Sequence, residues 1–384
     1  MARHLKYFFS NRKQLSIGLV FFCNGLLFGS WVTRLPDIKS LIGLSDADLG
    51  IALLGAPVGS LLIMPLSGWV IARLELGRTV ILSGVIHCVS LLWIGLAASQ
   101  IQFTLALVIY GFMNAIMNIS MNAAVANLER KSSHPFMSAC HGMWSIGAMT
   151  GAGIGSLVIG FEIVTLSHLI SIGSFCLIVI TLLSKNLLSL KEAKNLGDRV
   201  FALPKGPLLI LSFLAFCILL SEGAIADWSA IYMRDIVQSN PYFFGLAYAG
   251  FALCMTVGRF SGDALIPLLG KKRMVLLGGL ISVCGLTLAI AGSGSTLLVI
   301  LGFSLTGLGF SCIVPILFIS AANEPGYASG TGIAAVTTLG TAGFLVGPPL
   351  IGLLSELFEL RVGLGFVLLC ALLVSILSAR VKFR

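Results

Sequence analysis

The chain has 384 residues, of which 57% are apolar and only 10% are charged, and its mean hydropathy is +1.03. This composition excludes a soluble protein and indicates an integral membrane protein. The apolar runs are long and unbroken, which excludes a β-barrel, because barrel strands alternate over about ten residues.

Twelve apolar segments bounded by charged or turn residues predict an all-α protein with twelve membrane-spanning helices. They lie near residues 15–34, 48–72, 78–98, 101–127, 134–160, 163–184, 207–234, 242–264, 274–292, 296–320, 328–355 and 361–379. The chain begins with a basic stretch that no small-residue cleavage site follows, so we predict a cytoplasmic tail and no signal peptide.

The distribution of basic residues predicts the orientation of the chain. With both termini in the cytoplasm, only four of the 24 Lys and Arg residues lie on the outer side: Arg34, Lys39, Arg234 and Arg361. This is the bias that the positive-inside rule describes. The net charge of +9 then reflects topology and anionic lipid, and we expect no nucleic-acid partner.

The second half of the chain repeats the first. A polar linker, 185–206, separates a first half, 1–184, from a second half, 207–384, with six spans in each. "LGIALLGAPVGSLLIMPLSG" (49–68) resembles "FGLAYAGFALCMTVGRFSG" (244–262), and "SIGAMTGAGIGSLVIG" (145–160) resembles "TLGTAGFLVGPPLIG" (338–352). Two pseudo-symmetric six-helix bundles are typical of alternating-access transporters.

Short motifs carry a family resemblance. "GRFSGDALIPLLGKKR" resembles the G-x-x-x-D-R-x-G-R-R signature of major facilitator superfamily (MFS) transporters, with Asp263 at the acidic position and Gly270 before the basic run 271–273. The first copy, "SGWVIARLELGR", is degenerate: Ala72 replaces the acid, and two residues are inserted before Gly77. The resemblance implies the MFS fold, and we predict that Asp263, Arg259 and the basic run support an inner latch.

Longer stretches narrow the resemblance. "MNISMNAAVANLER", "HGMWSIG", "EGAIADWSAIYMRD" and "GPPLIG" are similar to an uncharacterised branch of multi-pass bacterial inner-membrane transporters near the fucose-permease group. Sugar permeases of that group couple to protons through an acid in the fourth helix, where this chain has Asn118. Drug-proton antiporters carry a glycine-proline motif in the fifth helix, and this chain has no proline between Pro135 and Pro204.

Polar side chains within the spans of the first half are candidate solute ligands. Asn114, Asn118 and Asn122 recur every four residues and form one stripe along the fourth span. They either bond neighbouring helices or line a cavity, where an amide offers both donor and acceptor. His141 and Trp144 on the fifth span lie at a similar depth, and Trp144 can stack on a sugar-like or aromatic solute.

His141 has several possible roles, and three further residues are candidate solute ligands. His141 either binds the solute, titrates with the coupling proton, or bonds a backbone carbonyl between helices. Asn24 is the contribution of the first span, and Tyr248 and Thr338 are the candidates from the second half.

Glu222 is an acid inside the seventh span, about 22 Å from its cytoplasmic end. An ionised carboxylate at this depth is costly, so we expect Glu222 to be neutral, paired or facing water. It either exchanges the coupling proton or makes a structural hydrogen bond to a neighbouring helix.

Asp227 lies about 140° around the same helix from Glu222, so the two acids do not share a face. Arg34, at the end of the first span, has a depth similar to that of Asp227. We therefore predict an Arg34–Asp227 pair that acts as an outer gate. The alternatives are a static pair at the headgroup boundary or a pair between Asp227 and Arg234.

These features predict a secondary transporter that imports a small polar organic solute, sugar-like or similar, by alternating access in symport with protons. The alternatives are a proton-coupled efflux antiporter of small molecules or drugs and a non-transporting membrane sensor or scaffold. The sequence shows no catalytic cluster, no nucleotide-binding motif and no metal-ligand spacing, so we expect no enzyme activity and no cofactor, with the proton gradient as energy source. We expect a monomer in the lipid bilayer.

Overall fold

The computed structural model describes residues 8–130, 136–190, 203–327, 329–381 and 383, and it describes the side chains of all of these except Asp263 and Ser329. Within these residues the regular structure consists of helices. Twelve segments of the described chain are long and apolar enough to cross a membrane, which confirms the predicted number.

The spans are numbered in chain order, and the predicted segments differ from them by a few residues at their ends. Spans 1 to 6 are Arg12–Thr33, Asp46–Leu74, Leu76–Leu96, Gln100–Arg130, Met137–Gly160 and Thr165–Leu188. Spans 7 to 12 are Pro207–Asp235, Leu246–Leu269, Lys271–Ala291, Thr296–Ala322, Ser329–Leu357 and Leu360–Ser378.

Two of the spans are interrupted, and in the described connecting segments two short helices lie between spans. Span 2 consists of Asp46–Leu53, Gly55–Ile63, the 3₁₀ turn Met64–Leu66 and Ser67–Leu74, and span 10 of Thr296–Phe310 and Ile313–Ala322. The short helix Leu35–Ile42 follows span 1, and the 3₁₀ turn Pro241–Phe243 precedes span 8.

Local sequence explains where some spans begin. Asn11 caps span 1, because its side-chain oxygen accepts hydrogen bonds from the backbone N–H groups of Lys13 at 3.1 Å and Gln14 at 3.3 Å. Pro207 occupies the first turn of span 7, where its missing N–H costs no helical hydrogen bond.

The chain divides into two compact units. The first contains Met1–Gly43 and Ala52–Gly197, and the second contains Leu44–Ile51 and Asp198–Arg384. Most of the predicted linker, residues 191–202, lies outside the described residues. The units differ from the predicted halves at Leu44–Ile51, which sequence reasoning placed in the first half.

Contacts at the start of span 2 explain why Leu44–Ile51 belongs to the second unit. The backbone N–H of Asp46 donates to a carboxylate oxygen of Glu356 at 3.0 Å, and that of Ala47 donates to the same oxygen at 3.5 Å. The hydroxyl of Ser355 donates to the carboxylate of Asp46. The acid of span 11 therefore satisfies N–H groups that the first turn of a helix leaves unbonded.

In the first unit, spans 1 and 5 approach closely at two glycines. A Cβ atom added to Gly25 would lie 2.0 Å from the carbonyl oxygen of Trp144, and one added to Gly29 would lie 2.0 Å from that of Ala148. Only glycine permits these backbones to come so near, as is common between membrane helices. The close approach brings the neighbouring Asn24 side chain within reach of span 5.

The internal repeat is visible in two tight turns. Spans 2 and 3 are joined by the single residue Glu75, with φ 68° and ψ 151°, and spans 8 and 9 by Gly270, with φ 79° and ψ 151°. The similar backbone angles match Glu75 to Gly270. The first copy therefore keeps the conformation of this turn with a glutamate where the second copy has a glycine.

Candidate solute and proton-coupling sites

A continuous chain of side-chain hydrogen bonds joins spans 5, 1 and 4 in the first unit. The indole Nε1 of Trp144 donates to Oδ1 of Asn24 at 2.8 Å, and Nδ2 of Asn24 donates to Oδ1 of Asn114 at 2.8 Å. Nδ2 of Asn118 donates to the same oxygen of Asn114 at 3.0 Å. The structure thus brings together four residues that the sequence singled out as solute ligands.

Asn24 is a deeply buried member of this hydrogen-bonded chain. It is only 2% exposed, and Nδ2 contacts Sδ of Met117 at 3.5 Å in addition to Asn114. Both of its donor hydrogens and its oxygen therefore have partners within the protein. This arrangement ties Asn24 to side chains of spans 4 and 5, and its direct contact with a solute stays a prediction.

The other three asparagines are half-buried and form the predicted stripe along span 4. Nδ2 of Asn118 donates to the backbone oxygen of Asn114 at 3.1 Å, and Nδ2 of Asn122 donates to the backbone oxygen of Asn118 at 2.8 Å. These bonds follow the helix and hold the amides of Asn118 and Asn122 by their nitrogens. They leave side-chain oxygens of Asn118 and Asn122 accessible.

Aromatic rings frame the same residues. The Trp144 ring lies 5.8 Å from that of Phe28, tilted by 34°, and it is half-buried. His141, one turn earlier on span 5, is exposed and meets Phe21 edge to face at 5.3 Å. Span 5 therefore carries an indole and an imidazole that are at least partly exposed.

The second unit contains an ion pair between spans 7 and 8. An oxygen of Glu222 lies 3.9 Å from Nη2 of Arg259, and their side chains are 17% and 36% exposed. The distance is too long for a hydrogen bond. The other carboxylate oxygen of Glu222 and Nε of Arg259 are buried without a hydrogen-bond partner among the described residues.

This pair differs from the predicted role of Arg259. Sequence reasoning placed Arg259 with Asp263 in an inner latch, but the structure directs its guanidinium toward Glu222. The two residues are 37 positions apart on different spans, so no local pattern indicated the contact. The side chain of Asp263 lies outside the described residues.

The two other candidates from the second half differ in their surroundings. Tyr248 is buried, stacks on Phe251 with 6.2 Å between ring centroids, and lies within electrostatic range of Glu222 and Asp227. Thr338 is half-buried and donates its hydroxyl to the carbonyl of Ala334 in its own helix at 2.7 Å. Tyr248 is therefore the candidate nearer to the acidic groups.

Arg34 is held by three contacts within the first unit. Its Nη1 donates to Asp37 at 2.6 Å, its Nε to Nδ1 of His168 at 3.1 Å, and its Nη2 to the carbonyl of Ile163 at 2.8 Å. Sequence reasoning missed these partners, although Asp37 lies one turn after Arg34. His168 is 134 residues away and left no local signal.

Asp227 has a different environment from its predicted partner. It is half-buried and makes no hydrogen bond or ion pair with the described residues of the second unit. Arg234, the alternative partner, pairs with Asp235 at 2.5 Å. A pair between Arg34 and Asp227 would join the two units, and it stays a prediction.

Comparison with known proteins identifies relatives along the whole chain. The family model of the Major Facilitator Superfamily matches residues 17–339 and 211–384. An uncharacterized MFS-type transporter of Yersinia pestis is 35% identical over 97% of this chain and 96% of its own length. Membrane protein MosC of Rhizobium meliloti is 31% identical over 96% of this chain and 89% of its own length.

Solved structures share the fold. The nucleoside transporter NupG has a TM-score of 0.76 at 15% identity and covers 97% of this chain and 100% of its own. A bacterial homolog of the human lysosomal transporter Spinster, in an inward-facing and occupied conformation, has a TM-score of 0.73 at 15% identity and covers 96% of both chains. At this identity the likeness shows the fold alone.

Proposed function

Because the chain belongs to the major facilitator superfamily, whose members are secondary transporters and not enzymes, we propose that it imports a small polar organic solute in symport with protons. The solute is sugar-like or a similar metabolite, and it crosses the bacterial inner membrane by alternating access. The proton gradient supplies the energy, and the protein needs no cofactor.

The observation that carries this proposal is the Glu222–Arg259 pair. Glu222 lies inside a membrane span, and among the described residues its charged partner is Arg259 at 3.9 Å, while its other carboxylate oxygen has no hydrogen bond. A proton taken up by this carboxylate removes the attraction to Arg259, whose guanidinium keeps its charge. A site that exchanges one proton and changes its side-chain pairing is what proton coupling requires.

The polar residues of the first unit supply the solute contacts in this proposal. Asn114, Asn118 and Asn122 contribute amides, Trp144 contributes an aromatic face, and exposed His141 contributes an imidazole. Such a set suits a polar, uncharged molecule with a ring face. Tyr248 and Thr338 are the contacts proposed from the second unit.

Uptake into proteoliposomes under an imposed pH gradient tests the proposal. Purified protein should accumulate a radiolabelled sugar-like solute when the interior is alkaline, and a protonophore should abolish the accumulation. Glu222→Gln should lose accumulation while it still exchanges labelled for unlabelled solute, because exchange needs binding but no net proton movement. Glu75→Gln, an exposed acid outside the spans, is the matched control and should behave as the unmodified protein.

Two results would contradict parts of the proposal. If Glu222→Gln accumulates solute with an unchanged pH dependence, Glu222 is not the coupling acid. If preloaded vesicles lose solute in exchange for incoming protons, the protein is the efflux antiporter that the sequence left as an alternative.

A further inference from the structure

The hydrogen-bond chain around Asn24 gives each amide of span 4 a fixed direction. We propose that the Trp144 indole sets this direction, so that Asn114 presents only hydrogen-bond donors and Asn118 only an acceptor to the solute. The solute class is then a neutral polyhydroxylated molecule, such as a sugar or polyol, with one hydroxyl that donates to Asn118. The inference deepens the proposed function and rests on it.

The indole of Trp144 can donate a hydrogen bond but cannot accept one. The atom of Asn24 that lies 2.8 Å from Nε1 of Trp144 is therefore its oxygen. The amide nitrogen of Asn24 then faces Asn114 and Met117. An amide side chain alone has two interchangeable orientations, and the indole removes this ambiguity.

The orientation of the Asn24 amide fixes the orientation of the Asn114 amide on span 4. Because Asn24 offers its nitrogen, the facing atom of Asn114 is an oxygen, and this oxygen also accepts a bond from Nδ2 of Asn118. Both lone pairs of the Asn114 oxygen are then used, and only its Nδ2 hydrogens are left for a solute.

Asn118 leaves a hydrogen-bond acceptor for the solute, whereas Asn114 leaves donors. Its two Nδ2 hydrogens go to the side-chain and backbone oxygens of Asn114, at 3.0 and 3.1 Å. Its Oδ1 is the part that has no partner among the described residues and is accessible. Asn114 and Asn118 lie one helical turn, about 6 Å, apart. A solute that fits them accepts a hydrogen bond at one point and donates one at the next.

Uncharged hydroxyl groups meet both requirements. A hydroxyl can donate to Asn118 and another can accept from Asn114, and neither leaves an unpaired charge beside the amides. A solute whose hydroxyls are all methylated can still accept from Asn114 but cannot donate to Asn118. Asn24 and the indole nitrogen are positioning groups in this arrangement, because they act through Asn114 and Asn118.

The solute class is tested by thermal unfolding of the purified protein with neutral hexoses and pentoses and with the per-O-methyl ethers of the same sugars. At least one sugar with free hydroxyls should raise the melting temperature in a concentration-dependent manner, and its ether should not. The proposal is overturned if no sugar with free hydroxyls shifts the melting temperature, or if an ether shifts it as much.

The positioning role is tested by a double-mutant cycle with the sugar that binds best. Trp144→Phe and Asn118→Ala should each weaken binding by about tenfold, the usual effect of one lost hydrogen bond. The double variant should also lose about tenfold, because Asn118 contributes little once its direction is no longer fixed. Independent roles would instead give about a hundredfold loss in the double variant, and that result would refute the inference.

Two further variants complete the cycle. Trp93→Phe on span 3, an exposed tryptophan, is the matched control and should leave affinity unchanged. Asn24→Leu is a second way to break the chain if Trp144→Phe does not fold, because leucine has a similar size but offers Asn114 no amide hydrogen. Binding in detergent does not involve proton coupling, so failure of the uptake experiment and failure of this cycle are separate results.

Discussion

Replacing Glu75 by glycine should stabilise the protein. Glu75 has φ 68° and ψ 151°, a backbone region that is adopted almost only by glycine. Such a conformation costs a residue with a Cβ atom about 1–3 kcal/mol. The gain is reduced by about 0.5–1 kcal/mol, because glycine gives the unfolded chain more freedom.

The lost side chain changes this estimate little. Glu75 contacts Arg78 at 3.8 Å, and both side chains are more than half exposed, so the pair contributes less than about 1 kcal/mol. We therefore expect a net stabilisation of about 1 kcal/mol and a melting temperature about 2 °C higher. The assay is thermal unfolding of the purified protein in detergent.

Two matched variants separate backbone strain from charge. Glu75→Gln removes the charge but keeps the Cβ atom, and it should leave the melting temperature almost unchanged. Gly270→Ala, at the equivalent turn with φ 79°, should lower it, although no described atom beyond its two chain neighbours lies within 4 Å of the added Cβ. The reasoning fails if Glu75→Gly is destabilising or if Gly270→Ala is neutral.

Three further substitutions test contacts that hold each unit together. Gly29→Leu should prevent correct folding, since its Cβ would lie 2.0 Å from the carbonyl oxygen of Ala148; monodisperse expression would contradict this. Arg34→Lys keeps a charge near Asp37 but loses the hydrogen bonds to buried His168 and to the carbonyl of Ile163. The free energy of unfolding should therefore fall by about 2 kcal/mol. Glu356→Ala should cost about 1 kcal/mol by uncapping span 2, while Glu356→Gln should cost less because it still accepts; equal losses would refute the cap.

Hydropathy alone was sufficient to predict the twelve spans, because each requires about 20 apolar residues in sequence. The turn at Glu75 shows where this reasoning stops. Comparison with the family signature assigned the glycine of the degenerate first copy to Gly77. The structure matches the residues by backbone angle instead, and a glutamate holds the conformation that glycine holds in the second copy.

The sequence indicated which residues form the candidate sites, but not which of their atoms are bonded to one another. Helical periodicity placed Asn114, Asn118 and Asn122 on one stripe, and depth placed Trp144 beside them. Neither property shows which amide atom faces which neighbour, because that depends on packing between spans 1, 4 and 5. The partner of Glu222 was missed for the same reason, since Arg259 reaches it from another span.

The Glu222–Arg259 pair has an electrical consequence. An ionised Glu222 and Arg259 together carry no net charge, so the empty site is neutral, whereas one added proton gives it a charge of +1. A membrane potential acts on such a charge with about 2.3 kcal/mol per 100 mV if it crosses the full potential. In a symporter built on this pair, the step that carries proton and solute inward is therefore driven by voltage, and the return of the empty carrier is not.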